Sequence, residues 1–139
     1  HQAAYFRRFV SYLPQRLNFG NVTVGEVARG MYGEDVNSGC KYSVDTVLDC
    51  LHRLGVEADS LDKPFASLDK GEAQRAAMAL SLMFKRPVVL LDNPTSAQDD
   101  DGRRLVAALL ASERFDDVSV VVATNDEEII AVCNKKILI

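Results

Sequence analysis

One carboxylate stands at the end of an apolar run: Val88 to Leu91 is an unbroken stretch of branched hydrophobes, and Asp92 follows it directly. A run of that kind reads as a buried parallel strand that delivers its last carboxylate to the carboxyl edge of a sheet, where α/β proteins place their ligands. In nucleotide-hydrolysing proteins an Asp so placed helps hold Mg²⁺ on the β- and γ-phosphates. Asn93, a neutral amide, comes next. Asp69 and Glu72 have the spacing of a capping box, so Asp69 reads as a helix cap. Asp99, Asp100 and Asp101 place favourable charge at a helix N-terminus. His52 lies beside the apolar stripe of its helix and reads as a surface residue.

The elements that must position these groups follow from periodicity. Phe9 to Leu13 alternates and is β-prone, a strand ended by Pro14. Gln15 to Asn21 is a loop. Thr23 to Tyr32 is a helix, with Thr23 as cap and Glu26 three residues on. Gly33 to Lys41 is polar and reads as a loop. Val44, Val47, Leu48, Leu51 and Leu54 follow helical spacing, capped by Ser43 and stopped by Gly55. Glu57 to Pro64 is a turn-rich connection. From Asp69 a helix runs to about Phe84, apolar almost all round and so buried on most sides. Asp101 to Ser112 is a helix, Val118 to Ala123 a second buried strand, Asp126 to Cys133 a helix, and Lys136 to Ile139 a last short strand. This order predicts a parallel sheet with crossover helices, an α/β fold.

Composition fits one domain with a substantial core: 139 residues, 47% hydrophobic and 26% charged. The net charge is −4 with no basic tract, so nothing marks a nucleic-acid footprint. No apolar run approaches the length of a membrane span, and the first residues have no signal-peptide h-region. Cys40, Cys50 and Cys133 are widely spaced with no Cys-x-x-Cys pair, so zinc is not expected and reduced cytosolic thiols are. The chain opens on His1, not Met, and is expected to be a cloned or processed fragment, with His1 a tag remnant.

Four segments, in order, resemble motifs of the ATP-binding cassette (ABC) ATPases. Ser11-Tyr12-Leu13-Pro14-Gln15 resembles the strand and Gln of the Q-loop, and Thr23-Val24-Gly25-Glu26 after it resembles the family's Thr-Val-x-Glu. Leu68-Asp69-Lys70-Gly71-Glu72-Ala73-Gln74-Arg75 resembles the signature, Leu-Ser-Gly-Gly-Gln-x-Gln-Arg. Val89-Leu90-Leu91-Asp92-Asn93-Pro94-Thr95-Ser96 resembles Walker B, with Ala97-Gln98-Asp99 as the D-loop. Val120-Val121-Val122-Ala123-Thr124-Asn125-Asp126 resembles the H-loop strand. The order and spacing extend over nearly the whole chain.

Departures from the family pattern bear on the chemistry. A P-loop needs Gly-x-x-x-x-Gly-Lys-Ser/Thr, because backbone N–H groups and the Lys cradle the phosphates. The Gly25 and Gly30 pair has comparable spacing but continues into Met31-Tyr32 with no Lys. In the family this loop precedes the Q-loop, so it is expected upstream of His1. Asn93 replaces the Glu that polarises the attacking water, and Asn125 replaces the His that contacts the γ-phosphate. Asp69 replaces the signature Ser, which touches the γ-phosphate held by the partner. At about 4 Å and an effective dielectric near 20, one pair of like unit charges costs roughly 4 kcal/mol, against about 1 kcal/mol for a typical hydrogen bond. Lys70 offsets part of that repulsion.

The resemblance implies a partial P-loop NTPase fold of the ABC ATPase kind, without the P-loop strand. It implies a helical subdomain at about 23–67 and a core at 68–139. It implies the ATP-binding subunit of an ABC transporter, with ATP and Mg²⁺ as cofactors of the full-length protein and none expected on this chain. Asp92 and Gln15 would act near Mg²⁺ and water, with Asn93 and Asn125 in the catalytic positions. Leu68, Asp69, Lys70, Gly71, Glu72 and Asp99 would face a second ATPase domain. Gln15 and the helical subdomain would face a membrane permease, at the inner face of the membrane. Slow or absent hydrolysis is expected. The alternative is a nucleotide-gated interaction module without a transporter. With the P-loop strand absent, the outer edge of Val118 to Ala123 would be unpaired and prone to recruit another strand, or the last strand would be ordered differently from the family's.

Overall fold

The computed structural model describes residues 2–34 and 37–138. The middle of the 33–41 loop, His1 and Ile139 lie outside the described residues. In chain order the elements are α1 (Gln2–Arg7), β1 (Val10–Leu13), α2 (Val24–Tyr32), α3 (Val44–Arg53), α4 (Lys70–Leu82), β2 (Val88–Asp92), α5 (Asp100–Leu110), β3 (Ser119–Ala123) and α6 (Glu127–Val132). Short 3₁₀ turns at Ala58–Asp62, Phe65–Ser67 and Glu113–Phe115 join them. No helix among the described residues is long and apolar enough to cross a membrane.

The helix starts are written in side chains. Thr23 accepts from the Glu26 N–H at 3.1 Å, and Glu26 returns the favour by accepting the Thr23 N–H at 2.9 Å. Ser43 accepts from the Thr46 N–H at 3.2 Å, and Asp69 from the Glu72 N–H at 2.7 Å. Gly55 ends α3 at φ +68, a conformation open to glycine without strain.

The sheet is parallel in the order β1-β2-β3. α4 lies against β1, and α3 packs along α4. Leu13, Val89 and Leu91 join Ala76, Ala77 and Leu80 in one core with Val47, Leu51 and Leu54. Among the described residues, one face of the sheet is covered in this way. On the other, Tyr12, Leu90 and Val121 form a row across the three strands, with Tyr12 57% and Val121 60% exposed. This corrects the expectation that β2 and β3 are buried strands. Burial alternates along β2, and in β3 Ser119, Val121 and Ala123 are exposed while Val120 and Val122 are half-buried. Apolar residues on both sides of a strand state what it can bury, but among the described residues a second covering layer is lacking.

The C-terminal expectation also changes. Residues 136–138 form no strand, and Ile137 and Leu138 are exposed. A strand needs a ladder partner, and this segment has none among the described residues. α1 had no counterpart in the sequence reading. It is one and a half turns long, and Tyr5 sets its ring edge-on to Phe9 at 5.2 Å.

Candidate functional site

Asp92 ends β2 opposite Ala123, the last residue of β3. The next residue turns sharply: Asn93 has φ +51, in the left-handed region that Asn enters more readily than other non-glycine residues. Its N–H donates to the Ala123 carbonyl at 2.8 Å, which pins the turn to the sheet edge. Pro94 is fully buried behind it. Thr95 is buried too, and its Oγ1 donates to Asp126 Oδ2 at 2.6 Å. Asp126 Oδ1 accepts the Glu128 N–H at 2.9 Å, so the same carboxylate caps α6. These bonds draw 124–126 over 93–95. Asn93 and Asn125 consequently line one open cleft of about 810 Å³ with Thr95, Ser96, Arg103 and Glu127.

The first turn of α4 is tied down by its own side chains. Asp69 is engaged as the N-cap. Glu72 accepts the Ser60 hydroxyl at 2.7 Å, and Ser60 is fully buried. Leu68 is half-buried against the core. Of residues 68–72, Asp69 and Lys70 are exposed. Gly71 is needed for close approach: a Cβ there would lie 3.1 Å from the Ala97 carbonyl oxygen. Asp99 caps α5 by accepting the Gly102 N–H at 2.8 Å.

Gln15 is exposed and lines a second groove of about 550 Å³ with Phe19, Phe65, Lys70, Gln74 and Ser96. It does not line the cleft that Asn93 and Asn125 share, and Asp92 lines neither cavity. Three partners escaped the sequence reading of the site: Thr95, which places Asp126, and the pair Gln74 and Gln98. Gln74 lies inside the signature-like stretch and Gln98 inside the D-loop-like one, so both stand within segments that the resemblance singles out.

A magnesium–nucleotide ligand fits these residues in part. Asp92 is half-buried at the carboxyl end of β2, the place from which a carboxylate would reach a cation at the sheet edge. Among the described residues no three His, Cys, Asp or Glu side chains gather to hold a metal alone. Mg²⁺ takes one or two carboxylates and completes its shell with phosphate oxygens and water. A triphosphate is not fitted: the 139 residues contain no Gly-x-x-x-x-Gly-Lys segment to cradle it.

A parallel sheet with an acidic strand end, flanked by helices, is the architecture of ABC ATPase cassettes. The dimeric bacterial ABC transporter cassette MJ0796 superposes with a TM-score of 0.80 over 94% of this chain and 59% of its own, at 24% identity. The model of the ABC transporter family matches residues 1–96, and the chain belongs to that family. Among curated relatives, the phosphate import ATP-binding protein PstB 2 of Natronomonas pharaonis is 32% identical over 108 residues, 76% of this chain and 38% of the relative. The energy-coupling factor transporter ATP-binding protein EcfA of Methanosphaera stadtmanae is 27% identical over 110 residues, 79% of this chain and 37% of the relative. The chain thus spans less than half the length of these relatives.

Proposed function

We propose that this chain is part of the ATP-binding domain of an ABC transporter subunit, which binds ATP between two such domains and couples their closure to a membrane permease. The observation that carries the reading is the meeting of Asn93 and Asn125 in one cleft, one residue past the Asp92 strand end. In this reading 23–67 is a helical subdomain, 68–139 the signature helix and catalytic-edge core, and the permease docks at Gln15 and 23–67, holding the subunit at the inner face of the membrane. Leu68 to Glu72 and Asp99 face the second domain, with Asp69 and Lys70 the exposed members of the first group. Nucleic acid has no part in it.

When bound, Mg²⁺–ATP would supply the electrophilic phosphorus and a divalent charge for Asp92 to serve. The chain's own residues do the rest. Asp92 would offer the magnesium-side carboxylate, and Gln15 would stand near the metal and water. Asn93 orients water through its amide but cannot accept a proton, and Asn125 donates a hydrogen bond without an imidazole. A positioned general base contributes about 10²–10⁴-fold in rate, so hydrolysis at this site is slow. The test is Asn93→Glu with Asn125→His in the whole protein, which should raise turnover by about two orders of magnitude or more. A folded, ATP-binding double variant no faster than its parent would refute the role given to these two amides.

A further inference from the structure

Gln98 holds the loop after β2 against α4 by its side-chain amide alone. Its Nε2 donates to the Gly71 carbonyl and to Gln74 Oε1, both at 2.9 Å. Its Oε1 accepts from Arg75 Nη1 at 2.7 Å. Gln74 answers from the helix: its Oε1 accepts the Ala97 N–H at 3.2 Å, and its Nε2 donates to Ser96 Oγ at 3.0 Å. Arg75 extends the series in the other direction, donating Nε to the Leu54 carbonyl at 2.9 Å, where α3 has just ended. Half-buried amides with all their strong valences engaged make a stiff connection, because each lost partner leaves a polar group poorly solvated.

We propose that Gln98 is a positioning residue that locks the 96–99 loop to the first turns of α4 and, through Arg75, to the end of α3. Displacement at the C-terminus of α3 is then felt at the loop, and the reverse. What the lock serves rests on the proposed reading, in which the loop and the tip of α4 face the second domain while α3 lies on the permease side. The lock itself requires no nucleotide.

Hydrogen–deuterium exchange of the whole protein without nucleotide tests it. Gln98→Leu keeps the bulk and removes all three bonds. Exchange should quicken about fivefold across 94–99 and at least about twofold at 54–56, a segment that Gln98 is linked to by hydrogen bonds through Arg75. Arg75→Lys should quicken 94–99 in turn, since among the described residues Arg75 hydrogen-bonds to that segment at Gln98. Exchange in β3 serves as the unaffected reference. If the effect of Gln98→Leu stops within the loop, or Arg75→Lys leaves 94–99 unchanged, the inference is overturned. Should Gln98→Leu not fold, Arg75→Lys alone decides. A protein that proved unable to bind ATP would sink the proposed function and leave this result standing.

Discussion

Replacing Gly102 by Ala should destabilise the fold, although Ala is the better helix former. Gly102 is buried in the first turn of α5. A Cβ built there falls 2.2 Å from Gln98 Oε1 and 3.1 Å from both Gln98 Cβ and Cδ. The amide cannot yield freely, since it makes three hydrogen bonds, to Gly71, Gln74 and Arg75. Driving it out forfeits about 1 kcal/mol for each, or about 3 kcal/mol. Helix propensity returns up to about 1 kcal/mol, which leaves a net loss of about 2 kcal/mol. Urea denaturation of the parent, Gly102→Ala, Gln98→Ala and the double variant measures it. In the Gln98→Ala background the amide is gone and only the Cβ at 3.1 Å remains, so the same methyl should cost far less than in the parent. A gain of about 1 kcal/mol from Gly102→Ala in the parent would refute the reasoning.

Thr95→Val removes the buried donor to Asp126 and should cost about 2 kcal/mol in the same denaturation experiment; an unchanged midpoint would count against the tie between Thr95 and α6. The Arg53 hydrogen bond and charge hold the Asp49 carboxyl below its ordinary value. A depressed folded pKa means that the contribution is present above the unfolded value and is lost as pH falls through the folded one. The pair is exposed, so the effect is small and fades with salt. Arg53→Ala should return the Asp49 titration, followed by carboxyl NMR, to higher pH, and no movement would contradict the assignment. Burial pushes the Cys50 thiol up, while Cys40 is exposed. Iodoacetamide at mildly alkaline pH should therefore label Cys40 well before Cys50 in the folded protein, and equal rates would contradict this.

Local signals in the chain translated directly. Thr23, Ser43, Asp69, Asp99 and Asp126 all cap helices, because a capping oxygen needs partners only two or three residues away. Asp92 stands at its strand end for the same kind of reason: the apolar run stops there. What the sequence could not show is whatever depends on distant chain. Val88 and Leu90 are as apolar as Val89 and Leu91, yet their burial differs, since nothing in a strand says whether both its faces are covered. The course of the loop after Pro14 has no periodicity, so the separation of Gln15 from the Asn93 and Asn125 cleft was not readable. Gln98 bonds to residues more than 20 positions away, and only folding selects them from the polar groups on offer.

The central claim is that amides stand at this site in the places of a base and an imidazole. Single-turnover hydrolysis by the unaltered whole protein, set beside its equilibrium ATP affinity, addresses it most directly. The account predicts nucleotide binding with a chemical step at least about a hundredfold slower than the typical enzyme range of about 1–10³ s⁻¹. Bound ATP consumed at rates within that range would contradict it.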